Sequence, residues 1–225
     1  MILNDLKGKL IVSCQALDNE PLHSSFIMGR MAVAAKAGGA SGIRAQSVND
    51  INEIMRVCDL PMIGIIKRNY PDSEVFITPT HREVEELLTT NCQIIAIDAT
   101  KRKRPNDEKC IDLVNLIHQH HRLAMADCST YEECLDAQEM GFDIVSTTLC
   151  GYTDYSQKLD GPDLALLKKC CETLTVPVIA EGKINTPEDL SKVMDCGVYC
   201  AVVGGAITRP QQITERFVHK LNERK

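Results

Sequence analysis

The sequence predicts an α/β fold of the (β/α)8 TIM-barrel kind, and three observations predict it. Eight short apolar runs recur along the 225 residues, eight stretches at helical spacing lie between them, and the alternation continues to the end without a linker or low-complexity break. Eight strand–helix units close a barrel, whereas six or seven would suggest an open sheet. Chains of roughly 200–250 residues fold as one such unit, so residues 1–225 are expected to form a single domain.

The apolar runs are residues 10–14, 42–45, 62–66, 94–97, 123–126, 144–148, 176–180 and 201–204. Each is apolar on both faces, as a parallel strand covered by helices must be. The helical stretches are residues 29–36, 47–57, 80–90, 109–121, 130–140, 161–174, 186–196 and 210–223. Several open on start signals: Thr80 with Glu83 and Thr130 with Glu133 fit a capping box, and Pro187 after Thr186 sits at a first helical position. Gly38-Gly39, Gly141 and Gly197 end helices just before the second, sixth and eighth strands, so the turns at that end are tight and the chemistry is expected at the other.

Hydrophobic residues make up 44% of the chain and aromatic ones 4%, with no Trp, so the core is expected to be aliphatic. A net charge of −6 argues against a nucleic-acid or anionic-membrane partner, which would call for a basic field. The one basic run, residues 101–104, is followed at once by Asp107 and Glu108 and reads as a solvated loop. Eleven Cys without a CxxC pair or framework spacing read as reduced, packing thiols in a cytoplasmic protein. The first ten residues have no apolar h-region, and no run approaches the roughly 20 residues needed to span a bilayer.

In barrels of this kind the active site lies at the C-terminal strand ends. The polar residues there are Gln15, Arg44, Lys67, Asp98, Asp127, Thr148 and Glu181, followed by Gly204-Gly205. Buried unpaired charges cost several kcal/mol each, so such a ring is hard to explain by stability. After the seventh and eighth strands, Gly182-Lys183 and Gly204-Gly205 with Arg209 suit a phosphate: glycine lets backbone N–H groups approach the oxygens, and arginine adds a charged fork. Lys67, at an apolar strand end, is expected to have a lowered pKa and to act as a base or a Schiff-base amine. Glu181 stands nearly across the barrel, so the two can address opposite faces of one carbon. That supports epimerisation and leaves a Lys67 aldolase open. No His ends a strand, and Lys67 and Arg44 offset the acidity of Asp98 and Asp127, so neither metal nor cofactor is expected.

Five stretches in order carry a resemblance. They are Ile63-Gly64-Ile65-Ile66-Lys67-Arg68-Asn69-Tyr70 with Ile77-Thr78-Pro79-Thr80, residues 98–105, residues 147–153, Ile179-Ala180-Glu181-Gly182-Lys183 with its continuation to Pro187, and residues 203–210. The chain resembles the N-acylglucosamine-6-phosphate (N-acetylmannosamine-6-phosphate) 2-epimerases over about residues 4–218. The resemblance implies an isomerase acting on a phosphorylated amino sugar in sialic acid catabolism, cytoplasmic and homo-oligomeric, often dimeric. It implies Lys67 and Glu181 as the catalytic pair, Gln15, Arg44 and Asp127 at the substrate, and Gly182, Gly204, Gly205 and Arg209 at the phosphate; position at the strand ends adds Thr148 to the substrate set and Lys183 to the phosphate set. Cys150 stands where Ser is common in the family, and Lys183 where Arg is common.

Overall fold

Apolar runs and helical stretches resolve into eight strands and ten helices in the computed structural model, which describes residues 2–223. The ends of the expected domain, Met1 and Arg224–Lys225, lie outside the described residues. In chain order the elements are α1 (Ile2–Leu6), β1 (Leu10–Cys14), α2 (Ser25–Ala37), β2 (Gly42–Gln46), α3 (Val48–Val57), β3 (Met62–Ile65), α4 (His81–Leu88), β4 (Ile94–Asp98) and α5 (Cys110–Gln119). Then come β5 (Leu123–Asp127), α6 (Tyr131–Glu139), β6 (Ile144–Ser146), α7 (Leu164–Thr173), β7 (Val178–Glu181), α8 (Pro187–Asp195), β8 (Cys200–Val203), α9 (Gly205–Thr208) and α10 (Pro210–Asn222). All eight strands are parallel and pair in chain order, with β8 returning to β1 through Leu10–Ala201, Ile11–Val202 and Val12–Val203, so the barrel is closed.

The eight expected strands and eight expected helices all form. α1 and α9 are additions, each too short to show a helical period. α1 plugs the bottom: Leu6 packs on the barrel interior, and a Cβ on Gly42 would lie 2.9 Å from Leu6 Cδ2. Two apolar layers follow from the alternation of side chains along a strand. One fills the barrel, with Ile11, Ile63, Ile65, Ile94, Met125, Ile144, Ile179 and Val202. The other, including Met28, Ile51, Leu87, Leu113 and Leu167, lies between sheet and helices. All eleven Cys are free thiols, and seven are buried.

Two capping boxes do more than start their helices. The Glu133 carboxylate accepts from the N–H of Thr130 (3.1 Å) at the head of α6, and also from Ser129 N–H (2.7 Å), Lys101 N–H (3.0 Å) and the Tyr155 hydroxyl (2.6 Å). It thus ties together the loops after β4, β5 and β6. Glu83 does the same after β3, accepting from Thr80 N–H (2.9 Å), the Tyr70 hydroxyl (2.9 Å) and Arg68.

The basic run departs from the expected solvated loop. Lys101 and Lys103 are exposed, but Arg102 pairs with fully buried Asp98 at 2.7 Å, and buried Arg104 donates to the Pro79 carbonyl at 3.0 Å. Alternate residues face inward, so half of the run clamps the loops after β3 and β4 together.

Candidate active site

The C-terminal ends of the strands open into a cavity of about 800 Å³. Strand alternation decides what reaches it. Ile63 and Ile65 point into the barrel, so Lys67, two residues on, shares their side. The same count leads from Ile11 to Ser13 and Gln15, from Met125 to Asp127, from Ile179 to Glu181 and from Val202 to Gly204. Lys67 lies just past β3, where an antiparallel bridge to Ile77 holds its backbone. Ile77 in turn accepts from Asp98 N–H at 3.0 Å, so the Asp98–Arg102 clamp reaches the lysine through two backbone contacts.

Of the residues expected at the site, Gln15, Lys67, Thr148, Glu181, Gly182, Lys183, Gly204, Gly205 and Arg209 line the cavity. Arg44 and Asp127 do not. They form its floor, 1% and 0% exposed, where Arg44 crosses from β2 to β5 and β7. Its Nη2 donates to Asp127 Oδ2 at 2.5 Å and its Nη1 to Asp127 Oδ1 at 3.0 Å and Glu181 Oε2 at 2.7 Å. Thr148 completes the circuit, its Oγ1 lying 2.7 Å from Asp127 Oδ1 and 3.2 Å from Glu181 Oε2. Asp98 is held by its own loop and is likewise absent from the cavity lining.

Two groups stand opposite each other, Lys67 just past β3 and Glu181 at the end of β7, four strands apart around the ring. Lys67 has no side-chain hydrogen bond or ion pair among the described residues. Burial first, and then the positive charges of Arg209 and Arg44, lower its pKa to about 8 against the pull of Glu181 and Asp127. Glu181, whose side chain is 12% exposed, is pushed up to about 7. Burial is the main cause and Asp127 adds to it, while Arg44, Thr148 and Lys67 oppose. Thr148 has one hydroxyl proton, and the shorter contact assigns it to Asp127; a protonated Glu181 can then donate to the same oxygen. No ion pair joins Lys67 and Glu181 among the described residues, and the carboxylate is held through Oε2 by Arg44 at 2.7 Å.

The loops after β7 and β8 carry the glycines expected at a phosphate. Gly182 has φ +105, a conformation that favours glycine. Gly205 and Ala206 open α9, where their N–H groups have no carbonyl four residues back to accept from them. Thr208 Oγ1 donates to the Ser13 carbonyl at 2.8 Å and fixes α9 to β1. Lys183 lines the cavity, but its ammonium donates to the Leu159 carbonyl and lies 5.8 Å from the Tyr152 ring centre, so it also clips the loop after β6.

Other lining residues escape strand-end reading. Phe76, Tyr152, Leu159 and Asp160 come from loops, and Gln212 and Arg216 from α10. Tyr152 falls inside the residue 147–153 stretch, which was the available signal; the α10 residues had none beyond helical spacing. Among the described residues no group of three or more His, Cys, Asp and Glu could hold a metal, and no helix is long and apolar enough to cross a membrane.

The family model described as "Putative N-acetylmannosamine-6-phosphate epimerase" matches residues 28–223. A Clostridium perfringens (strain 13) protein described as "Putative N-acetylmannosamine-6-phosphate 2-epimerase" is 66% identical over 216 residues, covering 96% of this chain and 98% of that one. A Clostridioides difficile (strain 630) protein of the same description is 61% identical over 217 residues, with 96% and 97% covered. The solved structure of the N-acetylmannosamine-6-phosphate 2-epimerase from Clostridium perfringens superposes with a TM-score of 0.96 at 64% identity, over 97% of this chain and 96% of that one. Thiamine phosphate pyrophosphorylase from Pyrococcus furiosus shares the fold alone, with a TM-score of 0.63 at 17% identity over 94% and 91%.

Proposed function

The chain belongs to the N-acetylmannosamine-6-phosphate epimerase family, and from that membership we propose that it interconverts N-acetylmannosamine 6-phosphate and N-acetylglucosamine 6-phosphate. The reaction removes the proton at C2, beside the latent C1 aldehyde, and returns one to the other face. The observation that carries this reading is the opposition of Lys67 and Glu181 across one cavity, with pKa values brought to about 8 and about 7. A general base works best with a pKa near the operating pH, and so does the acid that answers it.

The remaining residues take roles by position. Deprotonation at C2 puts negative charge on the carbonyl oxygen, which needs a donor nearby. Of the two expected donors, Gln15 lines the cavity and is the one proposed to face that oxygen. Arg44 acts instead through Glu181, whose carboxylate it holds. Asp127 fixes Arg44, and Thr148 serves both carboxylates. The phosphate takes the backbone of Gly182, Gly204 and Gly205 and the charge of Arg209, with Lys183 at the edge. Anchoring there turns binding energy into orientation of C2.

The test is incubation with N-acetylmannosamine 6-phosphate in deuterated water, with C2 followed by NMR. Deuterium at C2 of both epimers is expected. Formation of the second epimer with its proton fully retained, or any carbon–carbon cleavage, overturns the two-base route.

We further propose that the working form is a homo-oligomer, a dimer being the simplest, in the cytoplasm. Support comes from α10, which has no buried residue and leaves Phe217 72% and Leu221 64% exposed, and from eleven free thiols, which suit a reducing compartment. Sedimentation of the pure protein checks the first point; a monomer at micromolar concentration refutes it.

A further inference from the structure

Arg209 is tied on its outer side to a residue that no part of the proposed reaction uses. Glu20, on the loop after β1, places Oε1 2.9 Å from Arg209 Nε and accepts from Nη2 into Oε2 at 3.2 Å. The carboxylate is itself held, because Oε2 accepts from Leu17 N–H at 2.6 Å within a turn closed by Glu20 N–H to the Leu17 carbonyl at 2.8 Å. Both side chains are about three-quarters buried, 24% exposed for Arg209 and 21% for Glu20. A guanidinium offers its N–H groups along two edges in one plane. Glu20 holds this guanidinium by one hydrogen bond, at Nη2, with Oε1 in ion-pair contact with Nε but out of line with its N–H, which leaves Nη1 and the second Nη2 hydrogen for the cavity that Arg209 lines.

We propose that Glu20 is a positioning residue for the anion end of the substrate: it fixes the plane and direction of Arg209 before the phosphate arrives. This rests on the reading of Arg209 as a phosphate ligand. A free arginine has rotamer entropy that binding must overcome, and a partner that orders it in the free enzyme removes part of that cost from the binding step. The carboxylate is also a like charge for a phosphate. It sits behind the guanidinium, though, and is partly exposed, so the cation between them and the solvent offset the repulsion, and alignment is the larger effect. The loop that carries Glu20 also carries Gln15, so one segment sets groups at two points of the cavity.

The experiment is a double-mutant cycle with Glu20→Gln and Arg209→Lys. Gln keeps the length of the side chain and an acceptor for Leu17 N–H, so the turn is retained, while Lys lacks the Nε–Nη2 edge. Inorganic phosphate is the probe, as a competitive inhibitor, beside KM for N-acetylmannosamine 6-phosphate. Glu20→Gln is expected to raise the phosphate Ki and the KM about fivefold with kcat within about twofold, and to change neither beyond about twofold when Arg209 is already Lys. Equal losses in both backgrounds would mean a general loop defect and overturn the proposal, as would an unchanged or tighter Ki in Glu20→Gln alone. If Arg209→Lys leaves the phosphate Ki unchanged, the phosphate-ligand reading fails as well. If it weakens phosphate while Glu20→Gln does not, the role of Glu20 alone is refuted.

Discussion

Two cations stand on neighbouring strands of this barrel in opposite surroundings. Arg44, on β2, is fully enclosed and shared between Asp127 and Glu181. Burial pulls its pKa down, but the two carboxylates outweigh that and hold it above the ordinary arginine range. Lys67, just past β3, has no carboxylate partner among the described residues, and burial with two like charges pulls it down to about 8. The difference separates two uses of a buried charge. A paired cation is part of the scaffold, since removing it strands its partners; an unpaired one is a cost that the fold tolerates and that chemistry can use.

The largest expected effect falls on turnover. Lys67→Ala should lower kcat about 10²- to 10⁴-fold, the range of a lost general base, with phosphate binding retained. Deuterium exchange at C2 reports the loss, and substantial residual exchange would break the contrast by removing Lys67 from the reaction. Next is stability. Arg44→Met leaves Asp127 and Glu181 buried without their cation and should cost about 3–5 kcal/mol in urea unfolding at fixed protein concentration. A loss under about 1 kcal/mol would mean that the arginine is not a scaffold element.

Lys67→Met should do the reverse and stabilise the protein by about 3 kcal/mol at pH 7, because burial and like charges bring the lysine from 10.5 down to about 8. The sign follows from where the proton sits. Below about 8 the lysine is charged in both folded and unfolded chains and the folded state bears the full cost. Above the ordinary value of 10.5 it is neutral in both, so the advantage of Met must fade between those limits. A variant less stable than the parent at pH 7 contradicts the unpaired state of the amine.

The same two values fix the pH profile. One proton shared between Lys67 and Glu181 is the reactive condition in both directions: neutral lysine with protonated glutamate in one, ammonium with carboxylate in the other. Both arrangements hold the same total charge, so they share one pH dependence. Activity should rise through about 7, fall through about 8, and do so identically from either epimer. Profiles that differ between the two directions would separate the pair.

Much of this is legible in the sequence. Gln15, Arg44, Lys67, Asp127, Thr148, Glu181 and Gly204 fall on the inward parity of their strands, and parity is a local property of sequence. Partnership is not local. Glu181 was an equally good match for Lys67 as for Arg44, and only the closed ring, with β2, β5 and β7 delivering side chains to one floor, assigns it to the arginine 137 positions away. The course of loops is equally non-local, which is why Phe76 and the α10 residues have no signal at the strand ends. Arg102 and Arg104 show the converse: a charge run reads as solvated until buried acceptors, Asp98 and the Pro79 carbonyl, are brought beside it.

The smallest effect concerns a third cation, Lys183, which shares features of both. It lines the cavity like Lys67, yet its ammonium is committed, donating to the Leu159 carbonyl of the loop after β6. A hydrogen bond from a charged group to a neutral carbonyl at a half-exposed site contributes about 1 kcal/mol, so Lys183→Met should lower stability by about that much. The loop has independent anchors in the Tyr155–Glu133 bond at 2.6 Å and the Lys158–Thr153 bond at 2.7 Å, so it should keep its course. The phosphate Ki should then change by less than about threefold, against a larger loss in Arg209→Met, because a neutral backbone cradle and Arg209 carry the anion. If Lys183→Met instead weakens phosphate as much as Arg209→Met does, the ammonium leaves Leu159 when the anion binds. Lys183 would then belong with the cations that wait for substrate, not with those that hold the barrel together.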